Sequence, residues 1–364
     1  MTRRCPSLMS TLSWAPLRYV GAVLVLRLVL VAIICIFPLG LSACERTAAR
    51  PSHAYATNAE IGNGLNSIYR NLDLSEPIDI QQRQKLVVHF QRIHEAGFQS
   101  VRMALLAFQY MDNADQIDRR WLAWLEARVD AALSVGLTVI IDEHDSQVCG
   151  NDVVMCHRRL DAYWRQVAQH FSQKSNRLIF EVLNEPHGQM NADAWNRQIV
   201  SSLNIIRKTN PTRTVIIGPS QWYSIKALDD LIIPEDDHNL IVTIHYYEPF
   251  NFTHQSAFWI PQTKGLENQR WGSAHDHAKA ADDFNKLAAW AKRNRRPINV
   301  GEYGAYMKGP LDDRVAWVAT VVQLSDLHGF SKIYWPFSFD KDEVDPTALR
   351  KAWGEDAVLK AVLK

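Results

Sequence analysis

From about residue 60 onward, the apolar residues of the chain follow two alternating patterns. Short apolar runs are each followed by a longer stretch whose apolar residues recur every three or four positions, which is the period of an amphipathic helix. The runs are continuous rather than alternating, as is typical of parallel strands buried on both faces. The eight runs occupy residues 60–66, 100–105, 137–144, 178–185, 214–220, 240–247, 298–304 and 332–339.

The helical stretches carry recognisable end signals. One stretch begins at Asp79 and ends at Gly97, and the next begins at Asp118 and ends at Gly136, where glycine is a common helix stop. Four more stretches with the same spacing lie at 156–174, 191–210, 274–295 and 310–329. Strands that alternate with helices in this number predict an α/β protein of the (β/α)8 or TIM barrel class.

A doubly wound sheet is the alternative fold. It would favour an early glycine fingerprint that opens a helix. Gly62 and Gly64 lie in the first run, but a third glycine and a directly following helix are missing. Residues 60–364 contain no linker, repeat or low-complexity segment, so we predict a single domain there.

The first 43 residues differ in composition from the rest of the chain. They contain four arginines and no lysine or acid, and residues 19–41 are almost wholly apolar. A charged start before an apolar run is typical of a secretory signal. The run ends in Leu-Ser-Ala-Cys, which resembles a bacterial lipobox and makes Cys44 the expected lipidation site.

A cleaved signal without lipid and a retained anchor remain as alternatives for residues 1–43, since the apolar run is long enough to span a bilayer. In each case we expect an exported domain at 60–364, preceded by a tether at 44–59. The expected location is the outer membrane or periplasm for a lipoprotein, or the medium for a secreted protein. Membrane contact is expected only through the N-terminal lipid or anchor.

Composition and charge exclude several classes of protein. The chain of 364 residues is 47% hydrophobic and 22% charged, as in a globular protein, and its formal net charge of +1 offers no basic field for nucleic acid. We expect a monomer without a cofactor.

Beyond the signal and lipobox only Cys149 and Cys156 remain, and export favours a disulfide between them. Two cysteines alone do not complete a zinc site.

Polar residues stand at the ends of several predicted strands. Active sites of this barrel lie at the carboxyl ends of the strands, so these side chains should converge on one cavity. Glu185 ends strand 4 and Glu302 lies on strand 7, across the barrel mouth. A carboxyl pair can cleave a glycosidic bond, one group donating a proton and the other attacking the anomeric carbon. The remaining candidates are Arg102, His144, Asn184, His245, Tyr247 and Trp335.

Several of these side chains have expected roles around the carboxyl pair. A guanidinium at Arg102 and a hydroxyl at Tyr247 would keep Glu302 ionised. Asn184 could bond the sugar 2-OH. Trp335 offers a flat apolar face to a sugar ring.

Other aromatic and histidine residues are candidates for sugar contact or for a metal. Trp222, Trp259 and Trp271 lie in predicted loops and could stack on sugars, and His254 lies in the loop after strand 6. The segment His-Asp-His at 275–277 resembles a metal cluster, but we interpret it as a capped, solvated helix start. No metal site is predicted.

Six sequence blocks carry a resemblance to a known family. The blocks "VRM", "DEH", "LNEP", "HYY", "GEYG" and "YWPF", in this order on strands 2, 3, 4, 6, 7 and 8, resemble glycoside hydrolase family 5 over roughly residues 60–340. The resemblance implies Glu185 as acid/base, Glu302 as nucleophile and retention of configuration. The loop at 247–255 is similar to that of the family's bacterial cellulases, which implies an endo-β-1,4-glucanase.

Other functions of the same barrel remain open. A β-mannanase or another β-glucanase would use the same residues. A carbohydrate-binding barrel that has lost catalysis would be favoured if either glutamate were replaced, but both are present. A metal-dependent hydrolase would need a carboxylate–histidine cluster and would be sensitive to a chelator.

Overall fold

The computed structural model describes residues 53–69, 72–336 and 356–364. Within these residues, eight parallel strands pair in chain order and close into a barrel through β1 and β8. The predicted (β/α)8 architecture is therefore confirmed. The strands are β1 Asn63–Tyr69, β2 Ser100–Leu105, β3 Thr138–Glu143, β4 Leu178–Glu181, β5 Val215–Ile217, β6 Leu240–Tyr246, β7 Ile298–Tyr303 and β8 Ser331–Tyr334.

Helices alternate with the strands along the described chain. They are α1 His53–Ile61, α2 Ile80–Glu95, α3 Arg119–Ser134, α4 Ser146–Asn151, α5 Val153–His170, α6 Ala192–Arg207, α7 Ser220–Tyr223, α8 Phe250–Thr253, α9 Ala274–Asn294, α10 Leu311–His328 and α11 Asp356–Val362. Short 3-10 turns lie at Phe108–Tyr110, Ile225–Asp230 and Pro261–Thr263.

The predicted helix starts are set by side-chain caps. Asp79 accepts from the backbone N–H of Gln82 at 2.7 Å, and the Gln82 side chain accepts from the Asp79 backbone, which completes a capping box at α2. Ser273 and Asp276 form the same box at α9. The His-Asp-His segment thus lies in the first turn of a capped helix, as interpreted from the sequence.

The barrel interior changes character along the strands. Near their amino ends it holds a fully buried layer of isoleucines. Residues i and i+2 of a strand face the same side. Two positions beyond the isoleucines of β3, β4 and β6, the interior residues are polar and still fully buried. The apolar core inside the barrel therefore ends at this level, and a buried polar cluster begins. The isoleucines are Ile140, Ile179, Ile216, Ile241 and Ile333, and the polar residues are Asp142, Glu181 and Thr243.

Helix α1 covers the amino end of the barrel. Ala54 and Ile61 are fully buried and pack with the isoleucine layer, and Asn58 accepts a hydrogen bond from Ser331 of β8 at 2.8 Å. The tether predicted at 44–59 is therefore corrected over residues 53–59, which form part of this helix and pack onto the barrel. With only two apolar residues against the core, α1 shows no helical periodicity in the sequence.

Several predictions fall on residues that the structure does not describe. They are the signal at 1–43, lipidation of Cys44, the first part of the tether, and the end of the eighth predicted strand beyond residue 336. Within the described ranges, none of the helices is long and apolar enough to cross a bilayer.

Candidate active site

Arg102 on β2 lies at the centre of a buried polar cluster. Its guanidinium donates two hydrogen bonds to Glu181 of β4, at 2.7 Å and 2.8 Å. Nη2 lies 2.9 Å from Asp142 Oδ2 on β3, and Nη1 donates to Glu302 Oε1 on β7 at 3.0 Å. A side chain that is completely buried thus shares one permanent positive charge among three carboxyl groups from three strands.

One cation cannot compensate for the burial of so many carboxyl groups. Burial raises the pKa of Asp142 to about 8, although Arg102 opposes the rise. The raised pKa favours the protonated form of Asp142, whose Oδ2 lies 2.6 Å from His144 Nδ1. Burial and the nearby guanidinium lower the pKa of His144 to about 4, so this imidazole is neutral. Its ring stacks on Trp335, with centroids 6.0 Å apart.

Glu302 receives hydrogen bonds from two donors that favour its ionised form. Arg102 donates to Oε1, and the Tyr247 hydroxyl donates to Oε2 at 2.9 Å. These are the two partners expected from the sequence. Burial has the opposite effect and raises the pKa of Glu302 above its ordinary value, while the Arg102 guanidinium opposes the rise. The two donors therefore offset a desolvation cost that the sequence does not reveal.

Glu185 follows β4 in an unusual backbone conformation. Its φ of +41° lies in the left-handed region, which residues other than glycine rarely adopt. Oε1 lies 2.6 Å from Nδ1 of His245, and the Glu185 side chain is 23% exposed. Burial raises the pKa of Glu185 to about 7 and lowers that of His245 to about 4. Glu185 therefore keeps part of its proton up to about neutral pH.

The two glutamates face each other at short range. One carboxyl oxygen of each, together with a ring nitrogen of His245, lie within 4.8 Å of one another. Carboxyl groups about 5–5.5 Å apart are typical of retaining glycosidases, whereas inverting ones need about 6.5–9.5 Å to admit a water. The spacing fits direct attack by one carboxylate on a sugar carbon.

The same three side chains are of the types that bind a divalent cation. Their polar atoms are already engaged, however, because Glu302 accepts from Arg102 and Tyr247 and Glu185 contacts His245. A guanidinium 3.0 Å from Glu302 also repels a second cation. The arrangement suits proton transfer and nucleophilic attack better than metal binding.

A cleft of about 1710 Å³ opens around the two glutamates. Trp222, Trp259, Trp335 and His254, all candidates from the sequence for sugar contact, line it. Trp222 is 55% exposed and has a ring face available to a sugar. The imidazole of His254 stacks on Phe250 at 4.1 Å and meets the Tyr247 ring edge-on at 4.9 Å, so it buttresses that tyrosine.

The prediction that Trp271 stacks on sugars is wrong. The residue is only 6% exposed and belongs to the hydrophobic core. Its ring meets His277 of α9 edge-on, and its backbone N–H donates to Asp313 of α10 at 3.0 Å. The loop folds back between two helices, which its sequence does not indicate.

Asn184 and Asn66 complete the cluster around the arginine. Asn184 Oδ1 accepts from Arg102 Nη2 at 2.9 Å, which leaves its amide Nδ2 as a donor toward the cleft. Asn66 of β1 accepts from Arg102 at 3.0 Å and donates to the Gly301 carbonyl of β7 at 3.0 Å. Asn66, Asp142 and Glu181 were not predicted from the sequence, although each is a polar residue at an interior position of a strand.

The predicted disulfide is present. Cys149 of α4 and Cys156 of α5 are joined, with Cα atoms 4.8 Å apart, and both are completely buried. Because the two thiols are consumed in this bond, they do not serve as zinc ligands.

The fold and the carboxyl pair together define a barrel glycoside hydrolase, with one glutamate beside a histidine and the other hydrogen-bonded to a guanidinium and a phenol. The chain belongs to glycosyl hydrolase family 5, the cellulase family, whose profile matches residues 79–341.

The chain matches relatives within this family over only part of their length. Endoglucanase H of Acetivibrio thermocellus is 32% identical over 253 residues, which are 68% of this chain and 26% of that protein. The chain also spans less than two thirds of the length of several other curated relatives that it matches.

Solved structures agree closely with the barrel. A hyperthermophilic endo-β-1,4-glucanase in complex with substrate has a TM-score of 0.74 and 33% identity, and the match covers 85% of this chain and 99% of that one. Cel5A of Thermotoga maritima in complex with mannotriose has a TM-score of 0.74 and 31% identity, with the same coverage.

Proposed function

We propose that this protein is a retaining endo-β-1,4-glucanase that cleaves polysaccharide by double displacement, with Glu302 as nucleophile and Glu185 as acid/base. The observation that carries the proposal is the carboxyl pair, in which one oxygen of each group lies within 4.8 Å of the other, in two different electrostatic settings. Glu302 accepts hydrogen bonds from a cation and a phenol, whereas burial raises the pKa of Glu185 to about 7.

In the first step, Glu302 attacks the anomeric carbon and forms a glycosyl ester. The glycosidic C–O bond breaks, and Glu185 gives its proton to the leaving oxygen. Asn184 Nδ2 donates to the sugar 2-OH, a contact that strengthens in the transition state. Arg102 and Tyr247 keep the attacking carboxylate ionised and oriented.

In the second step, water enters on the leaving-group side. Glu185 is now ionised and removes a proton from this water, which attacks the anomeric carbon and breaks the ester to Glu302. Two inversions at the same carbon retain the β configuration. Neutral His245, 2.6 Å from Glu185, orients the carboxyl group in both protonation states.

A β-1,4-glucan is the first choice of substrate, and the dimensions of the cleft support a polymer. The volume of about 1710 Å³ exceeds the roughly 300–1,000 Å³ of a small-molecule pocket. Trp222 follows β5 and Trp335 follows β8, so aromatic rings flank the glutamates on different sides of the barrel mouth. Such an arrangement holds sugars on both sides of the cleaved bond and favours endo action.

Mannan is the second candidate substrate, because the related Cel5A structure contains mannotriose. Thin-layer analysis of products from β-glucan, mannan and xyloglucan separates the candidates. A ladder of short oligosaccharides from β-1,4-glucan supports the proposal, and release of monosaccharide alone contradicts endo action. A protein that bound these polymers without cleaving any of them would instead be a binding barrel. Loss of activity with a chelator would favour the metal-dependent alternative.

The pH profile should reflect the state of Glu185. We expect kcat/KM on a cello-oligosaccharide to fall as the pH rises through about 7, because the required proton leaves Glu185 in that range. At low pH, kcat/KM should fall as Glu302 becomes protonated. Initial rates between pH 4 and pH 10 test this, with an aryl glycoside whose leaving group needs no proton as comparison. If the alkaline limb persists in Glu185→Ala with that aryl glycoside, it does not belong to Glu185.

Export as a lipoprotein is part of the proposal. The charged and apolar segment at 1–43 and the lipobox support acylation of Cys44. In a Gram-negative host, outer-membrane rather than inner-membrane retention is expected because Glu45 rather than aspartate follows. We expect labelled palmitate to enter the wild-type chain and not Cys44→Ser, which should be released or misprocessed. A wild-type chain that takes up no label refutes lipidation. The catalytic domain is proposed to act as a monomer.

A further inference from the structure

The loop that carries Glu185 is attached to the segment enclosed by the Cys149–Cys156 disulfide. We propose that this disulfide is a positioning device for the acid/base, holding Glu185 in its productive orientation through the segment between the two cysteines. The inference rests on the proposed role of Glu185 and concerns residues that do not themselves touch substrate.

Two hydrogen bonds connect the disulfide segment to the loop. The backbone N–H of Gln189 donates to the Gly150 carbonyl at 2.8 Å, and the Gln189 side chain donates to the Asn151 carbonyl at 2.7 Å. Gly150 and Asn151 both lie between the linked cysteines. The position of Gln189, four residues after Glu185, thus depends on the path of the disulfide segment.

A second connection passes through His187. A Cβ at Gly150 would lie 3.0 Å from the His187 ring and 3.1 Å from its carbonyl, so the two backbones are in close contact. His187 Nδ1 donates to the Glu185 carbonyl at 2.7 Å. Its ring also stacks on Trp222, at a centroid distance of 4.8 Å. His187 therefore links the disulfide segment to the Glu185 backbone and to the exposed tryptophan of the cleft.

The backbone at both ends of this chain of contacts is strained. Glu185 has φ +41°, and Gln221, Trp222 and Tyr223 have φ of +57°, +58° and +56°. Left-handed conformations of non-glycine residues persist when the surrounding structure enforces them. A bond between the Trp222 N–H and the Pro186 carbonyl, at 3.3 Å, joins the two segments. Glu185 thus needs external restraint to keep its side chain on the sugar oxygen.

The disulfide segment has too little secondary structure to be stable by itself. Helix α4 has only six residues, and isolated helices of this length are unstable in water. The crosslink to α5, an 18-residue helix with seven buried side chains, fixes the end of α4 to a stable element. Without the crosslink, Gly150 and Asn151 would sample other positions and the acceptors for Gln189 would move.

The test is the double variant Cys149→Ser/Cys156→Ser of the full chain, because reductant reaches two buried sulfurs poorly. We expect kcat/KM on cellotetraose to fall by about 10- to 100-fold, the scale of a misplaced catalytic group. On 2,4-dinitrophenyl β-cellobioside, kcat/KM should stay within about twofold, because this leaving group needs no proton. A loss of folded protein alone would lower both values equally.

Two further variants keep the test independent of folding defects. Gly150→Ala leaves the disulfide intact but presses on His187, and it should show the same loss confined to cellotetraose. Val154→Ala is the matched control, since this residue of the segment is 76% exposed, and it should match wild type.

The outcomes separate this inference from the proposed function. Equal losses on both substrates, or none in either the double variant or Gly150→Ala, would overturn the positioning role while wild-type activity stands. A wild-type protein that hydrolyses neither substrate would overturn the proposed function itself.

Discussion

Glu302→Ala should lose turnover of β-1,4-glucan and of activated aryl β-glycosides alike, on the order of 10⁵-fold or more, because no covalent intermediate can form. The two donors to Glu302, Arg102 and Tyr247, would remain and leave a polar cavity in place of the carboxylate. Steady-state rates on both substrates measure the loss. Glu235→Ala, at an exposed position, is the control and should retain wild-type rates.

Glu185→Ala should behave differently from Glu302→Ala. On β-1,4-glucan the loss should be about 10²–10⁴-fold, since the leaving oxygen is no longer protonated. On 2,4-dinitrophenyl β-cellobioside the first step should proceed, and the glycosyl ester should then accumulate because no base activates water. A burst of dinitrophenol, followed by slow turnover, is the expected signal.

Azide distinguishes the two roles by the configuration of the product. In Glu185→Ala it should attack the glycosyl ester and restore turnover, giving a β-glycosyl azide. In Glu302→Ala it can only displace the leaving group directly, which gives an α-azide. A β-azide from Glu302→Ala rather than Glu185→Ala, or an α-configured product from wild type, would contradict the assignment.

The fold was accessible from the sequence because buried parallel strands leave a strong pattern. Each strand of the barrel is covered on both faces, so a continuous apolar run followed by a helical period is sufficient evidence. Helix α1 was missed because its contact with the barrel uses one small residue, Ala54, and one isoleucine, Ile61, while Asn58 bonds to β8. Such a helix has no apolar stripe to detect.

The carboxyl pair could also be predicted from the sequence, whereas some of the buried residues around it were not predicted. Glu185 and Glu302 stand at strand ends, where the barrel places chemistry. Asp142 and Glu181 lie within strands, two residues after interior isoleucines, and this spacing could have identified them as partners of Arg102. The sequence alone does not show that Trp271 folds inward, because a loop's path depends on distant helices such as α9 and α10.

Arg102→Met should have the largest effect on stability. It leaves Glu181 and Glu302 buried without their cation, and breaking a buried ion pair on one side costs about 3–5 kcal/mol. Activity should fall as well, because Glu302 would be protonated over most of the working pH range. Denaturant unfolding at several pH values measures the free energy of unfolding.

The pH dependence of this loss separates charge from packing. Without the cation, burial raises the pKa of both carboxyl groups further, so the folded state binds more protons than the unfolded state. The deficit of Arg102→Met relative to wild type should therefore grow as the pH rises above the wild-type pKa values of Glu181 and Glu302, which burial already holds above the ordinary value, and shrink below them. Arg102→Lys retains the charge and should restore much of the wild-type pH slope while activity stays low, since an ammonium cannot donate to all of these partners.

Arg120→Met provides the matched control, because Arg120 is 67% exposed and pairs with Asp118 at the surface. Its removal should leave the free energy of unfolding nearly unchanged at every pH, because water screens an exposed ion pair. If Arg102→Met lost stability equally at pH 5 and pH 8, the effect would come from packing, and the guanidinium would not be what keeps Glu302 ionised. A deficit that grows with pH in Arg102→Met and is absent in Arg120→Met would tie the charge on Arg102 both to the stability of the barrel and to the ionisation of Glu302, the proposed nucleophile.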